Sequence, residues 1–322
     1  MPPVLDVQHL TTHYSTLRGW VKAAEDVSFQ VDEGKALGLA GESGCGKTTV
    51  ALSLLKILPQ GGRIRKGKIL FDGVDLVPLS DAEMRKFRWK GIAIVFQGAM
   101  NAMNPVYKVG EQIVEAIQTH ESNISKSEAL DRARHLLEIV GVEPSRVDNY
   151  PHEFSGGMRQ RALIAMALAA NPRLLVADEP GTALDVVVQA QTLKLMRELK
   201  DRLGLSMIMI SHDLSIIAET CEKVAIMYAG RIVEYGDAEA IFSEPLHPYT
   251  QGLIKAFPSI KGARVRLTSI PGIPPDLLHP PPACRFNPRC PYVMDVCKQI
   301  DPPLEKVGKG DHWAACHLYD SK

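Results

Sequence analysis

Four short runs along the chain are apolar at every position: LGLA at 37–40, LLVA at 174–177, MIMI at 207–210 and VAIMY at 224–228. A strand that is apolar on both faces belongs in the middle of a sheet covered from both sides, as in parallel α/β folds. IAIVF at 92–96 reads the same way. Between these runs the period lengthens to that of a helix over Thr48–Leu58, Lys126–Val140, Gly157–Ala170 and Val186–Leu203. Strands alternating with helices predict an α/β core with a mostly parallel sheet. From about 98 to 170 the pattern is mostly helical and interrupts the strand series, which predicts an inserted helical subdomain. After Pro258 the pattern changes, and half of the 22 prolines fall between Pro258 and Pro303. Proline removes a backbone donor and fixes φ, so regular helices and central strands are not expected there. The chain therefore divides into a first domain over 1–255 and a small, irregular Cys/Pro-rich module over 256–322.

Composition narrows the class without choosing a chemistry. The 322 residues carry 37 basic and 37 acidic side chains, so there is no basic excess of the kind nucleic-acid binding usually leaves. The longest apolar stretch, Ala162–Ala170, falls well short of the roughly eighteen residues needed to span a bilayer. MPPVLDVQHL lacks the charged start and apolar centre of a secretory signal. The expected location is the cytosol, or the cytosolic face of something else. Of the six cysteines, Cys45 and Cys221 read as space-filling, whereas Cys284, Cys290, Cys297 and Cys316 crowd toward the C-terminus. In a cytosolic chain such a group favours a metal over disulfides.

The chemistry is concentrated in five places. GESGCGKTT, Gly41–Thr49, lies between an apolar strand and a helical run, the setting of a phosphate-binding loop. Gly41, Gly44 and Gly46 let the backbone fold closely around phosphates. Lys47 reaches the β- and γ-phosphates, the Thr48 hydroxyl suits Mg²⁺, and the helix adds its positive end. Gln97 ends the IAIVF strand and can offer its amide to Mg²⁺ or to an attacking water. FSGGMRQR at 154–161 places a serine and two glycines at a helix start, a second anion site. LLVADEP at 174–180 ends a strand in two carboxylates. Asp178 can hold Mg²⁺ through its water shell, while Glu179 can polarise the attacking water. His212 follows the MIMI strand, where it can touch a γ-phosphate.

These five elements, in this order, resemble the ATP-binding cassette of ABC transporters over about 1–250. The resemblance implies a P-loop NTPase (ABC ATPase) core. It implies ATP bound by Tyr14 and by Gly41, Glu42, Ser43, Gly44, Cys45, Gly46, Lys47, Thr48 and Thr49, with Mg²⁺ on Thr48, Gln97 and Asp178. Tyr14 is the adenine platform on this reading, with Trp20 nearby as the other aromatic. Catalysis falls to Glu179, His212, Lys47 and Gln97. Phe154, Ser155, Gly156, Gly157 and Met158 form the signature that completes a partner cassette's site, and Asp185, in ALD at 183–185, is the D-loop acid. Two cassettes sandwich two ATP molecules head to tail in this family, and the segment after Gln97, GAMNAMNPV, is where membrane subunits dock.

Three features look like one branch, the peptide/oligopeptide/nickel importers: FSGGMRQR in place of the commoner LSGGQ, HPYTQGLI at 247–254, and CRFNPRCPYVMDVC followed by ACHLY. That branch implies a second, different cassette, two transmembrane permease subunits and an external substrate-binding protein, with this chain on the cytoplasmic face of the membrane. The cargo implied is di- or oligopeptide, with nickel or an oligosaccharide as alternatives. Gly181 and Gly98 depart from the branch, which usually has a threonine at the first and an acidic or serine residue at the second. The spacing C-x5-C-x6-C-x18-C lacks the close pairs of structural zinc. Members of the branch with these cysteines look like [4Fe–4S] binders, and four thiolates match that need; Zn²⁺, or unligated thiols, are the alternatives. A non-transport cassette acting on nucleic acid usually has paired cassettes or coiled-coil arms and a basic surface, none of which this sequence carries. A scaffold with a dead site is opposed by intact Lys47, Asp178, Glu179 and His212.

Overall fold

The computed structural model describes residues 2–96, 102–181, 184–256, 270–307 and 310–320. Gln97, Gly98 and Ala183 lie outside the described residues, as does the start of GAMNAMNPV. The chain forms two compact units: Met1–Asp32, Ala36–Pro78 and Met209–Lys322 make the first, Glu33–Lys35 and Leu79–Ile208 the second.

The first unit opens with an antiparallel sheet. Strand β1, Leu5–Thr16, pairs with β2, Gly19–Val31. Leu5 and Val7 are buried, and then Leu10 and Thr12, a slip of one position in the alternation. His9 absorbs it at φ 51°, where the pairing register shifts. Next comes β3, Ala36–Ala40, with all five residues buried, followed by helix α1, Lys47–Leu54. That helix stops short of the expected Leu58. Lys56 turns left-handed at φ 51°, Ile57 N–H bonds to Leu52 O at 3.1 Å and Lys56 N–H to Ser53 O at 3.1 Å. This is the double closure of a Schellman end, made here without glycine. Strands β4, Gly62–Phe71, and β5, Val74–Asp75, complete the first sheet in the order β2-β1-β4-β5.

In the second unit, α2, Asp81–Met84, precedes β6, Ile92–Val95. Helices α3, Val109–His120, α4, Lys126–Ile139, and α5, Gly156–Ala167, form the expected helical region. Ser125 and Glu128 close a capping box at the start of α4. Strand β7, Leu174–Asp178, is buried throughout and runs parallel to β6. Helix α6, Val186–Leu203, has both of its expected ends, with Asp185 capping its start and Gly204, at φ 64°, its finish. Strand β8, Ser206–Ser211, carries the chain from this unit into the first.

The rest belongs to the first unit: α7, Leu214–Thr220; β9, Lys223–Tyr228; β10, Arg231–Asp237; α8, Ala238–Ser243; and α9, Pro248–Ala256. Strand β9 runs parallel to β3 and antiparallel to β10. The described C-terminal stretch is irregular, as its prolines require, and it clusters with the first unit. Strands β11, Glu305–Lys306, and β12, His312–Ala314, extend this sheet as β11-β12-β10-β9-β3. Glu234 of β10 is the reason: wholly buried, it accepts N–H bonds from Leu246 and His247 at 2.8 and 2.9 Å and pairs with His312 Nε2 at 2.7 Å. Arg285 reaches Glu25 and the Ala229 carbonyl. A buried acid with three partners ties the stretch in place.

Candidate nucleotide site

The loop from Gly41 to Gly46 joins the buried strand β3 to α1. Gly46 caps the helix at φ 111°, and a Cβ there would stand 2.2 Å from the Ala23 carbonyl. Gly44, at φ 78°, has no atom within 4 Å of where a Cβ would be. The loop is thus closed on its inner side and open at Gly44. Ser43, Gly44 and Thr48 are exposed, whereas Gly41, Cys45, Lys47 and Thr49 are buried. The first-turn N–H groups of α1 have no acceptor within the helix and face outward with the positive end of its dipole.

Lys47, 5% exposed, folds back onto the loop, its Nζ donating to the Gly41 and Glu42 carbonyls at 2.7 and 3.1 Å. Its ammonium meets the Cys45 sulfur at 3.6 Å, while burial pushes the Cys45 thiol above its ordinary pKa. Of the two aromatics, Tyr14 is the one joined to the loop helix, its hydroxyl donating to Thr49 Oγ1 at 3.4 Å. Trp20 instead lies under the Arg65 guanidinium, 4.8 Å from the ring centre. His212 follows β8 and is exposed; the next residue, Asp213, caps α7 through Ser215 N–H at 2.8 Å.

In the second unit Asp178 is the buried last residue of β7, 2% exposed, and Glu179 follows at φ 47°. A non-glycine residue held left-handed costs on the order of 1–3 kcal/mol, and such residues cluster at functional sites. Gly181 gains a reason here: a Cβ would stand 2.5 Å from Gln189 Cγ, so the Gln189 side chain fills the space a threonine would need. Ser155 caps α5 by accepting Met158 N–H at 3.3 Å, and buried Phe154 anchors the turn. A Cβ on Gly157 would lie 2.6 Å from Val188 Cγ1, which puts the SGG turn against the start of α6. Asp185 spends its carboxylate on Val188 N–H at 2.9 Å, and Val186 and Val187 beside it are 82% and 66% exposed.

The four C-terminal cysteines are free thiols. They share one locale: Cys284 N–H bonds to Cys297 O at 3.2 Å. Burial first, then the charges of Cys297, Cys316 and Cys290, pushes Cys284 up to about 12. Burial likewise raises Cys316 to about 11, with Cys290 and Cys297 adding. Among the described residues no three His, Cys, Asp or Glu side chains stand close enough to hold a single metal ion.

Two residues that motif reading used only as branch markers prove to touch the loop. Tyr249, from HPYT, accepts the Glu42 N–H at 2.8 Å, and Arg289, from CRFNPRC, grips the Glu42 carboxylate. Their signal lay in the sequence, but nothing local says what they reach.

A glycine-rich loop between a buried strand and a helix, with its lysine drawn in and a buried aspartate ending another strand, defines a P-loop nucleotide-binding protein. Residues 24–182 match the ABC transporter family, and residues 233–297 match the oligopeptide/dipeptide transporter C-terminal region. The chain is 47% identical over 317 residues to a "Probable peptide ABC transporter ATP-binding protein y4tR" of Sinorhizobium fredii, covering 97% of this chain and 94% of that protein. It is 48% identical over 308 residues to the oligopeptide transport ATP-binding protein OppD of Bacillus subtilis, covering 94% and 86%. Among solved structures, the dimeric bacterial ABC transporter cassette MJ0796 superposes with a TM-score of 0.65 at 26% identity, over 73% of this chain and 98% of that one. This chain belongs to the ATP-binding subunits of ABC transporters, in the group that carries the oligopeptide/dipeptide C-terminal region. It has the ABC ATPase cassette fold, and the family's reaction is ATP hydrolysis.

Proposed function

We propose that this chain powers the import of di- or oligopeptides, as one of two different cassettes beneath two membrane permease subunits fed by an external binding protein. The observation that carries the cargo class is the C-terminal region, since the cassette itself never touches cargo. Dipeptide and oligopeptide transport ATP-binding proteins of Haemophilus influenzae are 43% and 45% identical to it over nearly the whole chain. Among the described residues no helix is long and apolar enough to cross a membrane, in keeping with attachment through the permeases at the cytoplasmic face.

The site residues divide the work. Gly41–Thr49 bind the phosphates, and Tyr14 supports adenine. Thr48, Asp178 and Gln97 would hold Mg²⁺, directly or through water, and the ion would supply positive charge against the charge that develops on the phosphates. Lys47 leaves the Gly41 and Glu42 carbonyls to meet the β- and γ-phosphates. Glu179, aimed by its left-handed backbone, polarises the attacking water, and His212 contacts the γ-phosphate. Ser155, Gly156 and Gly157 present N–H groups to the nucleotide held by the partner cassette, with Phe154 and Met158 framing the turn. Asp185 fixes the start of α6, so that Val186 and Val187 meet the partner. Closure on ATP and reopening after hydrolysis then drive the permeases between two states.

We further infer that the four cysteines serve a [4Fe–4S] cluster, with Zn²⁺ as the alternative. A zinc ion needs four ligand atoms about 2.3 Å from one centre, and the described residues offer no such group. Four thiolates gathered in one locale match the ligand set of such a cluster. Such a cluster would hold together a proline-rich stretch with little core of its own.

Glu179→Gln tests the catalytic assignment: it should bind ATP, lose turnover and accumulate as a closed dimer, and unchanged hydrolysis would remove Glu179 from the role. Anaerobic purification with iron and sulfide analysis tests the cluster; zinc alone, or no metal, would refute it. Peptide-stimulated ATPase in the whole complex, set against nickel and oligosaccharide, tests the cargo.

A further inference from the structure

We propose that Arg289, supplied by the cysteine-rich C-terminal stretch, is a positioning residue of the ATP site that holds the phosphate loop through Glu42. Its guanidinium lies on the Glu42 carboxylate as a two-pronged fork, Nη1 to Oε2 at 2.7 Å and Nη2 to Oε1 at 3.0 Å. The remaining donors are also taken: Nε by the Pro271 carbonyl at 2.9 Å, Nη2 by Ile270 O at 3.3 Å, and Nη1 by the Tyr228 hydroxyl at 3.4 Å. The group also lies 5.7 Å from the Tyr228 ring centre, and the side chain is 4% exposed. An arginine has five N–H donors, and here all five have acceptors. It is therefore committed to shaping the loop and has none left for a phosphate.

Glu42 is the second residue of the loop and is held at both ends. Arg289 takes its carboxylate, and Tyr249 accepts its N–H at 2.8 Å. Tyr249 is wholly buried and packs on Tyr228 and Phe286, with ring centres 4.6 and 5.5 Å away. The same clasp has an electrostatic side. An unpaired carboxylate next to Ser43 and two residues from Gly44 would repel the phosphates; pairing with Arg289 offsets that charge. Arg289 itself is fixed by the turn Asn287–Arg289, immediately before Cys290, in which its own N–H bonds to Phe286 O at 2.9 Å. The C-terminal stretch thus contributes to nucleotide binding as well as to branch identity. Lysine cannot replace this residue, because a point charge lacks the planar fork.

The inference rests on the loop being the ATP site; if that were wrong, the unaltered chain would show no ATP binding at all. The test is equilibrium binding of ATP and of a fluorescent ATP analogue to the full-length chain. Arg289→Ala should weaken binding ten- to a hundredfold, and Arg289→Lys should fall between it and the parent. In the assembled transporter KM for ATP should rise while kcat changes less than twofold. Adding Glu42→Gln to Arg289→Ala should restore part of the affinity by removing the unpaired charge, an effect that general loosening of the fold would not give. Arg289→Lys guards against outright misfolding of the alanine variant. Affinities within twofold of the parent in both single variants would overturn the proposal, as would simple additivity of Glu42→Gln and Arg289→Ala.

Discussion

Two glycines of the phosphate loop should fail in different ways when given a single methyl group. At Gly46 the methyl would stand 2.2 Å from the Ala23 carbonyl, a contact with main chain that cannot swing aside, on a backbone at φ 111°. The strained backbone costs on the order of 1–3 kcal/mol, and forcing an atom into a packed site adds about as much again. Gly46→Ala should therefore lower unfolding stability by roughly 2–6 kcal/mol before any nucleotide is added. At Gly44 the methyl meets nothing within 4 Å, and only the left-handed backbone at φ 78° opposes it. That costs about 1 kcal/mol. Yet the open side of Gly44 is where the phosphates would lie, so Gly44→Ala should lose ATP affinity by at least tenfold while remaining folded. The assay is urea denaturation without nucleotide, reading midpoint and slope separately, followed by ATP titration of each variant. If Gly44→Ala binds ATP like the parent, the phosphates do not approach there and the reading of the loop is wrong. If Gly46→Ala leaves the midpoint unmoved, the Ala23 carbonyl is not the constraint described.

Other outcomes follow from the same geometry. Burial holds His247, 1% exposed, down to about 4 from an ordinary 6.5, with Glu234 opposing weakly. The unfolded chain thus takes up a proton the folded one refuses, so this contribution is complete above 6.5 and declines as pH falls toward 4. By pH 5.5 the loss is about 1 kcal/mol; His247→Asn, whose Oδ1 can still accept the Tyr249 N–H, should show a smaller drop in midpoint between pH 7 and 5.5. Ser155→Ala removes the cap on α5 and should cost about 1 kcal/mol of stability. In the complex it should depress ATPase far more than that suggests, if Ser155 serves the partner's nucleotide as proposed; unchanged turnover would separate capping from catalysis.

What could be read from the sequence, and what could not, divides by the range of the cause. Strands β3, β7, β8 and β9 are legible because burial on both faces demands unbroken apolar runs. Both ends of α6 are legible because Asp185 and Gly204 are local stop signals. Helix α1 runs shorter than its periodicity because Lys56 takes a left-handed turn that glycine usually announces. The antiparallel sheet of β1, β2, β4 and β5 goes unread because the slip at His9 breaks the alternation that would have marked β1. Phosphate chemistry is written locally, since glycines, a lysine and a hydroxyl must sit side by side to surround one anion. The clasp on that loop is not. Arg289 and Glu42 are 247 residues apart in sequence. Neither the proline-rich run around one nor the glycine-rich run around the other carries a period that points to its mate. Motif reading thus finds the groups proposed to meet the nucleotide and misses those that hold the loop. Pairing across such a separation follows from the sheet, because β9 and β10 bring Tyr228 and Glu234 to where the C-terminal stretch must return. A chain cut before Arg289 would keep every residue of the phosphate loop. It should nonetheless bind ATP more weakly than the whole protein, since Glu42 would then carry its charge unpaired beside the phosphates.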